Sequence, residues 1–299
     1  MATIYSDQPT AAYREHILDE IQMVSPEDTP IFSRLADTSS DATTHEWVED
    51  TLATATASAV PEGATAAASS TVSKARKHNY MQIIRKTGSV SGTAQSMNSV
   101  GGRDELLNDM EKTMKSFKIE CEQQLIWATT ASGDSTAGTA REMRGLNDAI
   151  QTTRKTGSAG TVALTETVFN DALQSIWEAG ANGGYTFYTG GLNKRRVSQF
   201  ATPNTRNIDA SGGKISAFVS VYDSDFGMVS VVLERYLGVK NMILMDNSKF
   251  RKAWLRKPFK DNLQKRGDLD EYQIVGELTL EHLNERAGAF FSAFASATA

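Results

Sequence analysis

Apolar positions along this chain change period several times, and each change marks a predicted element. In "GGRDELLNDMEKTMKSFKIECEQQLIWATT" the residues Leu107, Met110, Met114, Phe117, Cys121, Leu125 and Ala128 step by three and four. That spacing predicts one long amphipathic helix over 103–129, spanning ~40 Å at 1.5 Å per residue. Asp104 and Glu105 fall in its first turn, where they favour the helix dipole. Glu111 with Lys115, and Lys118 with Glu122, are four apart on the side expected to face water. A second helix is expected in "VFNDALQSIWEAG", with Val168, Ala172, Ile176 and Trp177 inward, Thr165 or Thr167 as its cap and Gly180 as its stop. "LNKRRVSQFAT" predicts a third.

Elsewhere the pattern reads as strand. "THEWVEDTLATATASAV" and "STVSKARKHNYMQIIRKTGSVS" flank "VPEGAT", where Pro61 and Gly63 suit positions i+1 and i+3 of a type I turn. A long β-hairpin follows from this. Its tip, 53–73, holds eight Ala, four Thr and four Ser and no aromatic, Leu, Ile or Met, so it has nothing with which to build a core. The outgoing strand starts acidic (Glu46, Glu49, Asp50), and the returning one is basic from Lys74 to Lys86. About 17 residues at ~3.3 Å each reach ~55 Å, against a radius of gyration of ~19 Å for a compact chain of this length. A two-stranded ribbon is marginal alone in water, so this one calls for a partner surface.

Alternation over 215–222 and 228–237, the apolar run "NMILMD" and the stretch "YQIVGELTLEHL" supply further strands. Residues 1–44 read as an extended arm. Tyr13, Ile17, Ile21 and Val24 sit at helical spacing until Pro26 and Pro30, and Ile31, Phe32 and Leu35 then offer apolar anchors. Strands and helices alternate without regular βαβ repetition, which is the α+β class.

Composition removes several function classes. The 299 residues carry a net charge of −5, which argues against a protein that coats nucleic acid through overall charge. The single cysteine, Cys121, rules out an internal disulfide, fits a reducing compartment and falls on the apolar stripe as a core residue. No signal peptide and no run of ~18–20 apolar residues is seen, so a soluble protein made in the cytoplasm is expected. His16, His45, His78 and His282 form no pair at metal spacing. "GSVSG" has Val90 where a nucleophile elbow needs Ser, and no phosphate-binding loop occurs. Asp223, Asp225 and Glu234 imitate positions one, three and twelve of a calcium loop, but Met228 occupies the position of its obligatory Gly, and a hairpin turn explains them as well. No catalytic residue, metal site or cofactor is expected. The basic clusters at 74–86, 193–196 and 249–260 read as solvated faces or as sites of non-specific phosphate contact. In the last, Phe250, Trp254 and Phe259 are expected to pack in the core, their spacing of four and five being close to helical.

The order of parts resembles that of tailed-bacteriophage major capsid proteins with the Hong Kong 97-like fold: an anchoring arm, a small-tipped hairpin of opposite charges, a long helix, a glycine-punctuated α/β unit and a strand return. "FGMVSVVLERYL" and "GELTLEHLNERA" resemble strings near the end of such proteins. The resemblance implies an N-terminal arm (1–44), an extended loop (45–92), a peripheral domain with its spine helix (93–156), an axial domain (157–240) and peripheral return strands (241–299). It implies a structural subunit that self-assembles as pentamers and hexamers into an icosahedral head, made in the host cytoplasm and carried in the virion. Double-stranded DNA would be held inside by non-specific contact, with scaffolding, portal and decoration proteins as possible partners. Trp47, Glu49, Asp50, Arg76, Lys77 and Arg85 are the residues expected to contact a neighbouring copy, and the polar loop 203–214 is expected near the capsomer centre. The lysine–asparagine cross-link of some members has no matching pair here. A shell of the same fold around protein cargo, and a carboxylate-dependent hydrolase, are the alternatives.

Overall fold

The computed structural model describes residues 28–53, 59–65, 72–97, 104–133, 136, 139–157, 162–181, 184–200, 220–265 and 267–295. The predicted helix at 13–24, His16, the loop 203–214, most of the predicted strand 215–222 and parts of the hairpin tip lie outside them.

The long helix is present as α3 (Glu105–Trp127), capped by Asp104, whose carboxylate accepts from the Leu106 amide at 2.9 Å. It buries Phe117, Cys121, Leu125 and Ile126, so Cys121 is a core residue, and burial pushes its thiol far above the usual range. Two members of the stripe behave differently from expectation. Leu107 is 55% exposed, and its neighbour Leu106 packs inward in its place. Glu122, expected on the wet side with Lys118, is fully buried. The rest of the stripe packs as expected, and the covered face is wider than the stripe because it meets two sheets rather than one.

The first sheet has the order β1 (Ala36–Ser39), β10 (Phe250–Asn262), β11 (Leu269–His282), β4 (Gln82–Ser91). The β10 and β11 strands pair antiparallel, and β1 joins β10 in parallel. Phe117 meets this sheet where Gly276 leaves room: a Cβ there would lie 3.0 Å from the Phe117 ring. Lys86 reaches Glu120 of α3 at 2.5 Å, and Gln82 reaches Gln124 at 3.2 Å.

The second sheet has the order β5 (Lys155–Thr156), β12 (Gly288–Ser292), β9 (Met242–Asp246), β6 (Tyr185–Thr189), β8 (Gly227–Leu233), β7 (Val221–Ser224). Every residue of β6 and β9 is buried, because both faces are covered. On one face, α5 (Glu166–Glu178) sets Phe169 against Phe187, with ring centroids 5.0 Å apart, and α6 (Gly191–Phe200) adds Phe200. On the other, Trp127 of α3 packs edge-on to Phe290. The spine helix thus joins both sheets.

Thr165 caps α5 and Gly180 closes it at φ +88°, as expected, but Trp177 is not inward: it is 55% exposed, beside Phe226. Ile176 takes the buried position one residue earlier. Residues 250–262 form a strand. A spacing of four suits period two as well as 3.6, so Phe250 and Trp254 are buried on one face. Phe259, an odd five residues beyond Trp254, falls on the other face by the same period and is 41% exposed. Among the described residues the hairpin's ladder joins β2 (Thr44–Glu49) to β3 (Ala75–Tyr80), residues 50–53 and 72–74 lie outside it, and the return strand breaks at Met81 to become β4 of the first sheet. The turn is shifted by one residue: the Ala64 amide donates to the Pro61 carbonyl, and Gly63 supplies φ +82° at i+2. A short helix α2 (Gly92–Ser96), the turn α4 (Leu146–Ala149) and 3-10 turns at Asn247–Lys249 and Glu285–Ala287 complete the described elements after α1 (Pro30–Arg34).

Phe117→Ala should empty the crossing of α3 with the first sheet and cost about 3–5 kcal/mol, read as a lowered urea midpoint of the unassembled subunit at unchanged slope.

Candidate assembly surfaces

The hairpin leaves the body through a tight root. Trp47 is only 8% exposed and stands edge-on to His282 of β11, centroids 4.9 Å apart. His45 Nε2 lies 3.3 Å from Glu281, and the hydrogen bond from His45 holds the Glu281 carboxyl below its usual range despite burial. Asn79 does most of the fixing. Its Nδ2 donates to the carbonyls of Arg144 (2.9 Å) and Leu280 (2.8 Å), while its Oδ1 accepts from the amides of Arg144 (2.8 Å) and Tyr80 (2.9 Å). Burial depresses His282 to about 4, so it stays neutral at ordinary pH.

Beyond the root, the charges expected to meet a neighbour partly answer one another. Arg76 pairs with Glu46 at 3.3 Å and Lys74 with Asp50 at 3.9 Å, both at the surface, where such pairs contribute about 0–1 kcal/mol. The antiparallel register imposes this, since it sets Val48 opposite Arg76 and Glu49 opposite Ala75. Glu49 is half-buried, Lys77 is exposed, and neither has an ion-pair partner among the described residues. Arg85 lies on β4, in the body sheet rather than on the hairpin, and is exposed. The six candidates therefore divide: Trp47 is turned onto its own subunit, Glu49, Asp50, Arg76 and Lys77 lie on or beside the ribbon, and Arg85 is on the body.

A third surface had no forecast in the sequence beyond the apolar anchors Ile31, Phe32 and Leu35. Ile31 and Leu35 are buried in the core, and polar groups hold the backbone between them. Glu122 Oε1 accepts from the Ile31 amide at 2.9 Å and its Oε2 from the Phe32 amide at 2.5 Å. Lys252, buried on β10, donates to the carbonyls of Phe32 (2.6 Å) and Leu35 (2.8 Å) and reaches Asp37 at 3.1 Å. Burial raises the Asp37 carboxyl, but hydrogen bonds from Trp254 and Lys252 outweigh it and hold the group below its usual range. A glutamate three residues before Leu125 and four before Ile126 was the available signal: it puts a charge on the apolar face of a helix.

Glu234, the last member of the rejected calcium pattern, is also buried, at 1% exposure, and its side chain meets Glu122. Asp223 and Asp225 stay exposed at the β7–β8 turn, and among the described residues no group of His, Cys, Asp or Glu could hold a metal ion. With Glu122 at 0% and Glu234 at 1% exposure, neither carboxyl of this pair is open to bulk solvent. No described helix is long and apolar enough to cross a membrane.

The comparisons with known proteins agree with this geometry. Residues 3–295 match the model of the family described as SU10 major capsid protein. The major capsid protein of Escherichia phage Phieco32 is 26% identical over 91% of this chain and 92% of its own length. Among solved structures, the capsid of cyanophage A-1(L) superposes with TM-score 0.68 at 12% identity, covering 96% of this chain and 98% of that one. The SrpI encapsulin from Synechococcus elongatus PCC 7942 superposes with TM-score 0.62 at 11% identity, covering 96% and 94%. The fold is the Hong Kong 97-like capsid fold.

Asn79→Ala should remove a side-chain partner from three backbone groups of Arg144 and Leu280, one bond buried and two part-buried, at about 1–3 kcal/mol for each that water does not reach, and calorimetry of the subunit reads the loss. His282 adds a pH dependence. Its ordinary value is 6.5 and its folded value about 4, so the unfolded chain takes up the proton first as pH falls. Stability should drop by about 1.4 kcal/mol per pH unit between those values. His282→Phe keeps a ring against Trp47 and should flatten that part of the pH–stability curve.

Proposed function

The chain belongs to the SU10 major capsid protein family, and from that premise we propose that it builds a phage head as pentamers and hexamers around double-stranded DNA. A major capsid protein is a shell subunit whose partner is itself. The observation that carries the finer reading is the ribbon of β2 and β3, whose strands pair only with one another among the described sheets. Along it and the adjoining chain Val48, Val60 and Val72 are exposed, and Leu52 is 97% exposed. Apolar side chains on a ribbon without a core gain by being covered, and a repeated neighbour covers them at every position of a closed shell.

In this reading Glu49, Asp50, Arg76, Lys77 and Arg85 contact the adjacent copy. Trp47 contributes from within, by fixing the direction in which the ribbon leaves. The divisions at 44, 92, 156 and 240 separate arm, extended loop, peripheral domain, axial domain and return strands. Catalysis has no part in it. Surface pairs such as Arg76 with Glu46 are weak enough to exchange partners during assembly.

Electron microscopy of the expressed protein, with a nuclease-protection assay on purified particles, tests the reading. Closed shells with protected DNA are expected when packaging partners are present. Particles that hold protein cargo and no DNA would replace the genome reading with the cargo-shell one, and a strictly monomeric species under all assembly conditions would sink both. Shortening 53–73 should leave the subunit's melting temperature within about 2 °C, a surface-scale change, while particle yield collapses. Lys77→Glu and Arg85→Glu should each lower yield without unfolding the subunit, checked by sedimentation alongside circular dichroism.

A further inference from the structure

Glu122 and Glu234 are two buried carboxyl groups from distant parts of the chain, and the surrounding geometry assigns them different forms. Glu122 receives a backbone N–H on each oxygen, from Ile31 and Phe32, an arrangement that suits a carboxylate with acceptors on both sides. Glu234 Oε1 accepts from the Tyr236 amide at 2.8 Å. Its Oε2 is buried with no hydrogen-bond donor directed at it, and Glu122 is the group within its reach. A proton on Glu234 Oε2, donated to Glu122, satisfies every one of these atoms. Two ionised carboxylates there would leave like charges touching without solvent.

Nearby charges do not neutralise a second negative charge. On β10, Lys252 is committed to the Phe32 and Leu35 carbonyls and to Asp37. After β8, Arg235 faces Asp28 at 3.5 Å on the surface. Arg34 of α1 is exposed. On β6, the Tyr188 phenol is pushed up to about 12, chiefly by burial, and Tyr236 is raised by burial too, so both stay neutral. On α3 itself Glu120 already pairs with Lys86, and the Cys121 thiol is held protonated.

We propose that Glu122 and Glu234 form a proton-operated clasp for residues 30–35: one proton held between them seats this segment on the spine helix, and unseating it releases the proton. Burial raises both carboxyls, and the adjacent Glu234 raises Glu122 further, so the seated state keeps a proton that the open state gives up above the ordinary carboxyl range. The sign follows. Seating is strongest in acid and weakens as pH rises, by up to about tenfold in the opening equilibrium for each pH unit. The clasp joins the N-terminal segment, α3 and the end of β8, so one proton couples the arm's position to the body.

Tryptic cleavage after Arg34 in the full chain, measured from pH 6 to 9 and normalised to a small peptide substrate, reads the opening. Wild type should become several-fold to tenfold more susceptible per pH unit. Glu234→Gln supplies a permanent donor to Glu122 and should cleave slowly with no pH slope. Glu122→Gln exchanges one acceptor for a donor facing an N–H and should open at every pH. A Glu234→Gln slope equal to that of wild type, or a flat wild type, overturns the proposal. Infrared spectroscopy of wild type decides independently of any variant's folding. A protonated-carboxyl stretch at pH 7.5 is expected, and its absence overturns the clasp.

Discussion

Everything in this subunit depends on the burial of one face of α3 against two sheets at once. Phe117 lies over the first sheet at Gly276, and Trp127 meets Phe290 of the second. A helix of 23 residues is about 35 Å long, enough to bridge two sheets whose described strands are all different. Burying one large apolar side chain contributes about 1.5–3 kcal/mol, and Phe117, Leu125 and Ile126 are each fully buried. The relative position of the sheets is therefore set by side chains along a rigid rod, and every surface offered to a neighbour inherits that position.

The ribbon illustrates the converse. Its exit is over-determined by Asn79, which makes four hydrogen bonds, and by Trp47 wedged against His282. Beyond the root the described residues offer a short ladder and two exposed ion pairs. A rigid base with a weakly held shaft keeps direction while leaving conformation adjustable. That combination suits a capsid subunit, whose contacts are made with other copies of itself.

Much of this was legible in the sequence, and the failures share one cause. Period and capping placed α3, α5, α6, β9 and β11, because each rests on local chemistry such as Asp104 and Thr165 accepting from the first-turn amides. What failed depended on partners distant in sequence. Leu107 and Trp177 fit an apolar stripe, yet which edge of a stripe is covered is decided by the sheets packed against it. Phe250 and Trp254 are spaced four apart, a distance that helix and strand both satisfy. For the candidate contacts the sequence left the placement of Trp47 at the root and Arg85 on the body sheet unread, since the break at Met81 that separates hairpin from sheet leaves no mark in the alternation. Glu122 was the largest omission: four residues after Lys118, it fits a surface pair by spacing alone, and only its two backbone donors ninety residues away reveal otherwise.

Those donors explain why a polar clasp serves the arm better than an apolar contact alone. Residues 30–35 begin with Pro30 at the helix start, leaving the amides of Ile31 and Phe32 without partners inside so short a helix. Buried without acceptors, each would cost about 1–3 kcal/mol. Ile31 and Leu35 could bury comparable apolar area in several registers along α3, but the Glu122 oxygens and the Lys252 ammonium meet this backbone in only one. Hydrophobic burial supplies the attraction, and the polar groups select the register. The following strand β1 can then pair with β10 only from Ala36 opposite Arg251 to Ser39 opposite Trp254, so the first sheet is completed in the register that the arm has already set.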